Sequence, residues 1–306
     1  MADSLPRWLE ALKGASEAPD KPPMEPAIPY DLTSPAKPAT IAPQRARGAA
    51  FLSVRPRDGR SVIGDLSMSG SSKLLFPQGR GTMLDAVYLN SSGGVTGGDD
   101  LSLGADVLPG GALRMTTQAA ERIYRAAPGA PGRVVTRLTA AADAQLIWLP
   151  QETILFDGAA LDRSLSIDLA RGARLLASEV LIFGREAMGE RVRSLHLRDR
   201  IDLRIGDAHV FADRLRLNGD AARILDCRGT ASGMIAVASV LCAAPGVASR
   251  LDALRAGLPE TAGASALHDD LVFMRLLAPD GFELRRSLVP LLTDLAGTAL
   301  PRPWML

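Results

Sequence analysis

Residues 192–205 read VRSLHLRDRIDLRI, with apolar side chains at 192, 195, 197, 201, 203 and 205. Spacing of two over 195–197 and 201–205 puts the apolar groups on one side of an extended chain. That is the pattern of strands with one wet face, with a break near Arg198 and Asp199. Similar runs occur at 134–139, 164–169 and 210–217, separated by Gly, Asp and Pro turns. Helical spacing is confined to 118–125, 247–256 and 285–295. The chain reads as a mainly β protein with a few short helices.

A faint internal repeat accompanies these runs. Residues 109–117 (PGGALRMTT), 141–149 (AADAQLIWL) and 170–178 (ARGARLLAS) each combine a turn, an alanine and an apolar run. Anchored on Ala112, Ala144 and Ala173, the repeat recurs after roughly 30 residues, the spacing at which supersecondary units stack and share a core. Stacking would place Thr116 and Thr117, Glu152 and Glu179, which follow the three runs, in neighbouring layers. Their facing depends on strand register.

At 306 residues the chain can form one large domain or two ordinary ones and bury a substantial core without disulfides or structural metal. Residues 1–44 stand apart, with nine of the 21 prolines. Proline at that density removes backbone donors and blocks helix and inner strand, so the segment is expected to be a disordered extension preceding a β domain at 45–306. A net charge of +1 argues against nucleic acid or an anionic membrane as the main partner. No basic leader with an apolar run and no stretch of ~18 apolar residues is present, which points to a soluble cytoplasmic chain. Cys227 and Cys242 sit in an apolar stretch, lack metal-binding spacing and read as buried reduced thiols.

The chemistry that is missing narrows the function. The sequence contains no phosphate-binding P-loop, no dinucleotide fingerprint, no nucleophile elbow and no H-E-x-x-H zinc motif. Its three histidines, His196, His209 and His268, are too scattered for an imidazole-rich metal site. Catalysis is therefore not expected. Two segments stand out instead. Residues 89–100 hold Gly93, Gly94, Gly97 and Gly98, which suit either an anion nest or a tight strand crossing where no Cβ fits. Residues 148–158 (WLPQETILFDG) put Glu152 inside an apolar run, and 175–183 (LLASEVLIF) do the same with Glu179. A buried carboxylate needs a partner or a wet space. A salt bridge to one of the 31 arginines accounts for either glutamate alone. The two together, in related repeat positions, suggest a shared polar interior.

The same segments resemble the urease accessory protein UreD family, called UreH in some organisms. The resemblance rests on 90–99 (NSSGGVTGGD), 116–125 (TTQAAERIYR), 148–158 (WLPQETILFDG) and 179–190 (EVLIFGREAMGE), in that order and spacing, with weaker similarity over 45–306. It implies a stacked, β-helical two-layer fold and a non-catalytic maturation factor. Such a factor binds UreF, which recruits the GTPase UreG, and the assembly docks on apo-urease to deliver nickel. No tightly bound cofactor is implied, only transient Ni²⁺. On this reading Glu152, Glu179, Asp99 and Asp157, assisted by Thr116 and Thr117, line a hydrated nickel path, and the four glycines are architectural. Tyr124 and Arg125, on the expected helix at 118–125, are packing or partner contacts. Pro150, Gln151, Gly184, Arg185, Gly189 and Glu190 complete the motifs. The alternative is a structural adaptor bridging UreF to urease with no metal passing through.

Overall fold

The computed structural model describes residues 44–79, 81–185 and 188–305; the expectation for residues 1–43 lies outside them. Alternation of apolar and polar residues builds two sheets. The first comprises β1 (Arg47–Arg57), β2 (Arg60–Gly70), β5 (Asp100–Val107), β8 (Gly132–Ala140), β11 (Ala159–Leu169), β13 (Leu195–Ile205) and β14 (Ala208–Gly219), in the order β14-β13-β11-β8-β5-β1-β2. The second comprises β3 (Ser72–Leu75), β4 (Leu84–Asn90), β6 (Ala112–Thr117), β9 (Gln145–Leu149), β12 (Arg174–Phe183), β15 (Ala236–Ala243), β16 (Ala262–His268) and β17 (Leu271–Ala278). Its order is β16-β17-β15-β12-β9-β6-β4-β3, extended by the short strands β7 (Glu121–Ile123) and β10 (Thr153–Leu155), where β10 pairs with both β12 and β7.

The chain passes from one sheet to the other in successive coils, β5 to β6, β8 to β9 and β11 to β12, and equivalent strands lie parallel. Each coil buries its inward positions on those of the next. In the first sheet Leu52, Ala105, Leu138, Ile167 and Leu203 stand side by side on five strands. They meet Leu113, Leu146, Leu175 and Leu241 of the second sheet in one core. The expected stacked two-layer architecture is therefore the observed one. The repeat is shifted by one residue in its first coil: Gln145 N bonds Gly111 O and Arg174 N bonds Ala144 O, so Gly111, not Ala112, is equivalent to Ala144 and Ala173. A Cβ at Gly111 would lie 2.9 Å from Leu108 O, which is why the small residue there is glycine.

A third layer covers the far face of the second sheet. Helix α3 (Gly281–Ala296) follows α1 (Ala221–Asp226) and α2 (Leu251–Ala256) in the chain. It starts at Asp280, whose carboxylate accepts from Glu283 N, and stops at Gly297 in the left-handed region. Its stripe of Leu284, Leu288 and Leu292 packs on Leu149, Leu176, Val180 and Met274. This helix and the one at 251–256 match the expected C-terminal helices, while α1, capped by Asp220, has no counterpart in the sequence reading.

Three sequence expectations are corrected. Cys242 is buried as expected, but Cys227, which follows α1, is exposed. The segment 118–125 is not a helix. Glu121–Ile123 forms a parallel strand on β10, Val95 N bonds Arg122 O, and Tyr124 N bonds Val95 O. Eight residues gain too little from helical hydrogen bonds to compete with pairing on both sides. Nor is the strand at 195–205 broken: Asp199 keeps the alternation, pointing inward between Leu197 and Ile201.

Candidate functional site: a charged cavity between the sheets

The break in apolar pattern at Asp199 marks a polar centre in the core. Arg163, on β11, is its register partner on β13. In the run Leu161, Arg163, Leu165, Ile167 the arginine occupies an inward position, so two opposite charges meet inside the sandwich. Arg163 Nε and Nη2 donate to the two Asp199 oxygens at 2.8 and 2.7 Å, a bidentate fork. Its Nη1 reaches across to the second sheet, 2.7 Å from Glu179 Oε2 and 2.9 Å from Thr153 Oγ1. The other Glu179 oxygen accepts from Trp148 Nε1 at 2.7 Å. All three charged side chains are about nine-tenths buried. Burial pushes the Glu179 carboxyl up, while Arg163 and the indole N–H pull it back down. Pairing with both carboxylates keeps the buried guanidinium charged.

Arg163, Glu179, Thr153 and Trp148 of this cluster line a cavity of about 60 Å³ between the sheets, room for roughly four waters by the volume one water needs. Glu179, Arg163, Thr153, Gln151, Thr117 and Glu121 supply its polar wall. The Gln151 amide oxygen accepts from Arg285, which fixes the amide orientation and leaves buried Nε2 with no partner among the described residues. An orphaned donor beside a polar cavity calls for water. Tyr88, Thr117 and Glu121 also line a second pocket of about 200 Å³ with Asn90 and residues 118–120. Glu121 has no cation beside it among the described residues; both its oxygens accept from Asn90 Nδ2, at 3.1 and 3.3 Å. Burial pushes its carboxyl up to about 7, partly offset by Asn90 and reinforced by Asp99. Burial likewise pushes the Tyr88 phenol up to about 12.

Of the residues singled out in the sequence, Glu179, Thr117, Pro150 and Gln151 line this cavity. Glu152 does not join them. It faces the helical layer, where Oε1 accepts from Arg285 Nη1 at 2.7 Å. The same arginine donates to the Trp304 carbonyl and stacks 5.0 Å from its ring centroid. Asp99 closes its own loop, accepting from Thr96 N and Ala46 N at 2.8 Å each. Thr116 is buried, its hydroxyl turned to the Thr117 carbonyl.

Asp157 lies in a separate cluster at the ends of the coils. It accepts from Arg193 N, Ser194 N and Arg125, and the Ser194 amide contributes most to holding its carboxyl low. Glu190 bonds Asp157 N and Arg185, the arginine doing most to lower its carboxyl. Arg185 lies over Phe156, whose ring meets Tyr124 edge-on. Gly184 and Gly189 take positive φ. The four-glycine loop is a tight crossing: a Cβ on Gly94 would fall 2.4 Å from the Tyr124 ring and 2.6 Å from Arg122 O. Gly93 and Gly98 have positive φ, and Gly97 packs against Ala126 and Ala130.

The sequence reading missed Glu121, Arg163 and Asp199. The signal for the last two was present as charges of opposite sign at inward positions of neighbouring strands. Among the described residues no three Asp, Glu, His or Cys side chains converge as a metal cage. Nor, among the described residues, is any helix long and apolar enough to cross a membrane.

Stacked coils around a charged cavity between two sheets, with a helical layer on one face, define a β-solenoid-like protein. Its sequence places it further: residues 46–305 match the family described as UreD urease accessory protein, and the chain belongs to that family. It is 45% identical to the urease accessory protein UreD of Roseobacter denitrificans over 262 residues, covering 86% of this chain and 96% of the relative. It is 44% identical to that of Ruegeria sp. over 293 residues (93% and 97%) and 42% identical to that of Sinorhizobium medicae over 274 (88% and 99%). These names describe accessory proteins, not catalysts.

Proposed function

We propose that this chain is a cytoplasmic scaffold and nickel conduit that binds UreF directly and the GTPase UreG through it, and passes Ni²⁺ to apo-urease. The observation that carries the reading is the cavity between the sheets, whose lining includes Glu179, Glu121 and Thr117. Oxygen donors suit a labile contact with Ni²⁺, whereas clustered imidazoles or thiolates would retain it. The unpartnered Gln151 amide supports a hydrated interior in which water carries part of the coordination. Ni²⁺ is cargo on this reading, and no cofactor is tightly held. Glu152, Asp99 and Asp157, engaged by Arg285, by backbone amides and by Arg125, then serve the frame around the path.

The adaptor reading, in which no metal passes, draws on a different observation: both Glu179 oxygens are already engaged, one by Trp148 and one by Arg163. The two readings share partners, so only delivery separates them. Urease matured in cells lacking their own UreD-type protein, and supplied with this chain, cognate UreF, UreG and urease subunits, is expected to regain nickel and activity. With Glu179→Gln the complex should still assemble, while urease nickel content falls several-fold. Full nickel content with an assembled Glu179→Gln chain would establish the adaptor instead.

A further inference from the structure

Arg163 pairs with two carboxyl groups, Glu179 in the cavity wall and Asp199 outside the lining, so this cluster is one positive charge short of neutrality. The guanidinium is shared unequally. Asp199 holds it by the full fork and Thr153 Oγ1 accepts from Nη1, whereas Glu179 is met only by an ion-pair contact with Nη1 at 2.7 Å. Arg163 is therefore anchored on the first sheet and merely touches the carboxylate on the second. The unpartnered amide of Gln151, itself nine-tenths buried, lines the same cavity and marks it as a wet space.

We propose that Arg163 is the resident counter-cation of this cavity, a positioning residue that keeps a divalent cation from settling at Glu179. A cation arriving there has to displace only the ion-pair contact to Arg163, which keeps its fork on Asp199 and its bond to Thr153. The fixed positive charge beside the site then repels the cation and shortens its stay. Removing that charge converts a site of passage into a site of retention. Freeing the guanidinium from Asp199 does the reverse, since both arms of the fork can then clamp Glu179. This deepens the conduit reading and rests on it.

The test uses the full-length chain titrated with Ni²⁺ by calorimetry at fixed ionic strength. Arg163→Gln is expected to bind Ni²⁺ about tenfold more tightly or better, from the loss of a like charge at ion-pair distance in a poorly screened interior. The gain should vanish in Arg163→Gln/Glu179→Gln. Asp199→Asn should bind more weakly than the parent. Opposite shifts from two mutations of one ion pair cannot come from loosened folding, and Asp199→Asn decides alone if Arg163→Gln is insoluble. In the urease maturation assay, Arg163→Gln should assemble yet slow nickel delivery. An unchanged affinity in Arg163→Gln, tightening that survives Glu179→Gln, or tighter binding by Asp199→Asn overturns the role of Arg163. Full nickel delivery by an assembled Glu179→Gln chain, with the affinity shifts intact, overturns the conduit and leaves Arg163 governing a binding site only.

Discussion

Glu121 is the carboxyl in the cavity wall whose charge the fold resists most openly. Its hydrogen-bond donor among the described residues is a neutral amide, and burial pushes it up to about 7. A carboxyl raised on folding favours the folded state most when protonated. That advantage is complete below about pH 4.5 and is lost as the pH rises through about 7, amounting to roughly 3 kcal/mol over the interval. Glu121→Gln keeps the shape and removes the titration. Denaturant unfolding should find the variant close to the parent at pH 4.5 and up to about 3 kcal/mol more stable at pH 8. Equal pH slopes for the two proteins would show that the carboxyl is solvated. Glu121 escaped sequence reading because its surroundings come from Asn90 and Asp99 on another coil, and nothing local in AAERI announces burial. Arg163 and Asp199 were more legible: each replaces an apolar residue at an inward position, and alternation alone exposes them once the register is known.

Elements were readable where one pattern dominated. The stripe of α3 and the alternation of β8, β11 and β14 declare themselves, because a single buried face sets the period. The segment 118–125 did not, because a three-residue strand leaves no period to read and its pairing partners lie elsewhere in the chain. Helix α3 is held by two kinds of contact. Leu288 is fully buried against the second sheet, and Leu288→Ala should cost about 2–5 kcal/mol in unfolding free energy. Arg285 ties the helix to Glu152, Gln151 and the Trp304 carbonyl. Arg285→Ala leaves the Glu152 carboxylate buried without its cation, and a loss of about 3 kcal/mol or more is expected. Exchange of the α3 amides should accelerate in Arg285→Ala, whereas protection confined to its parental value would show that the leucine stripe alone secures the helix.

Across the whole molecule, the second sheet separates two interiors. One face meets the first sheet and carries the charged cavity; the other meets the helices. Glu179 points to the former, beside Trp148, and Glu152 to the latter, beside Arg285. The repeat made the two glutamates look equivalent, but the stretch 150–152 between β9 and β10 breaks the strand, and Glu152 leaves the face that strict alternation would have given it. Residues in separate layers that share no partner should act independently. Glu152→Ala is expected to lower stability and leave Ni²⁺ affinity unchanged. Glu179→Gln is expected to lower Ni²⁺ affinity and urease nickel content while α3 stays docked. The stability losses of the double variant should add to within about 0.5 kcal/mol, and its nickel delivery should equal that of Glu179→Gln alone. Coupling well beyond that, or a delivery defect in Glu152→Ala with an intact helical layer, would mean that the nickel path crosses the second sheet and runs through both interiors.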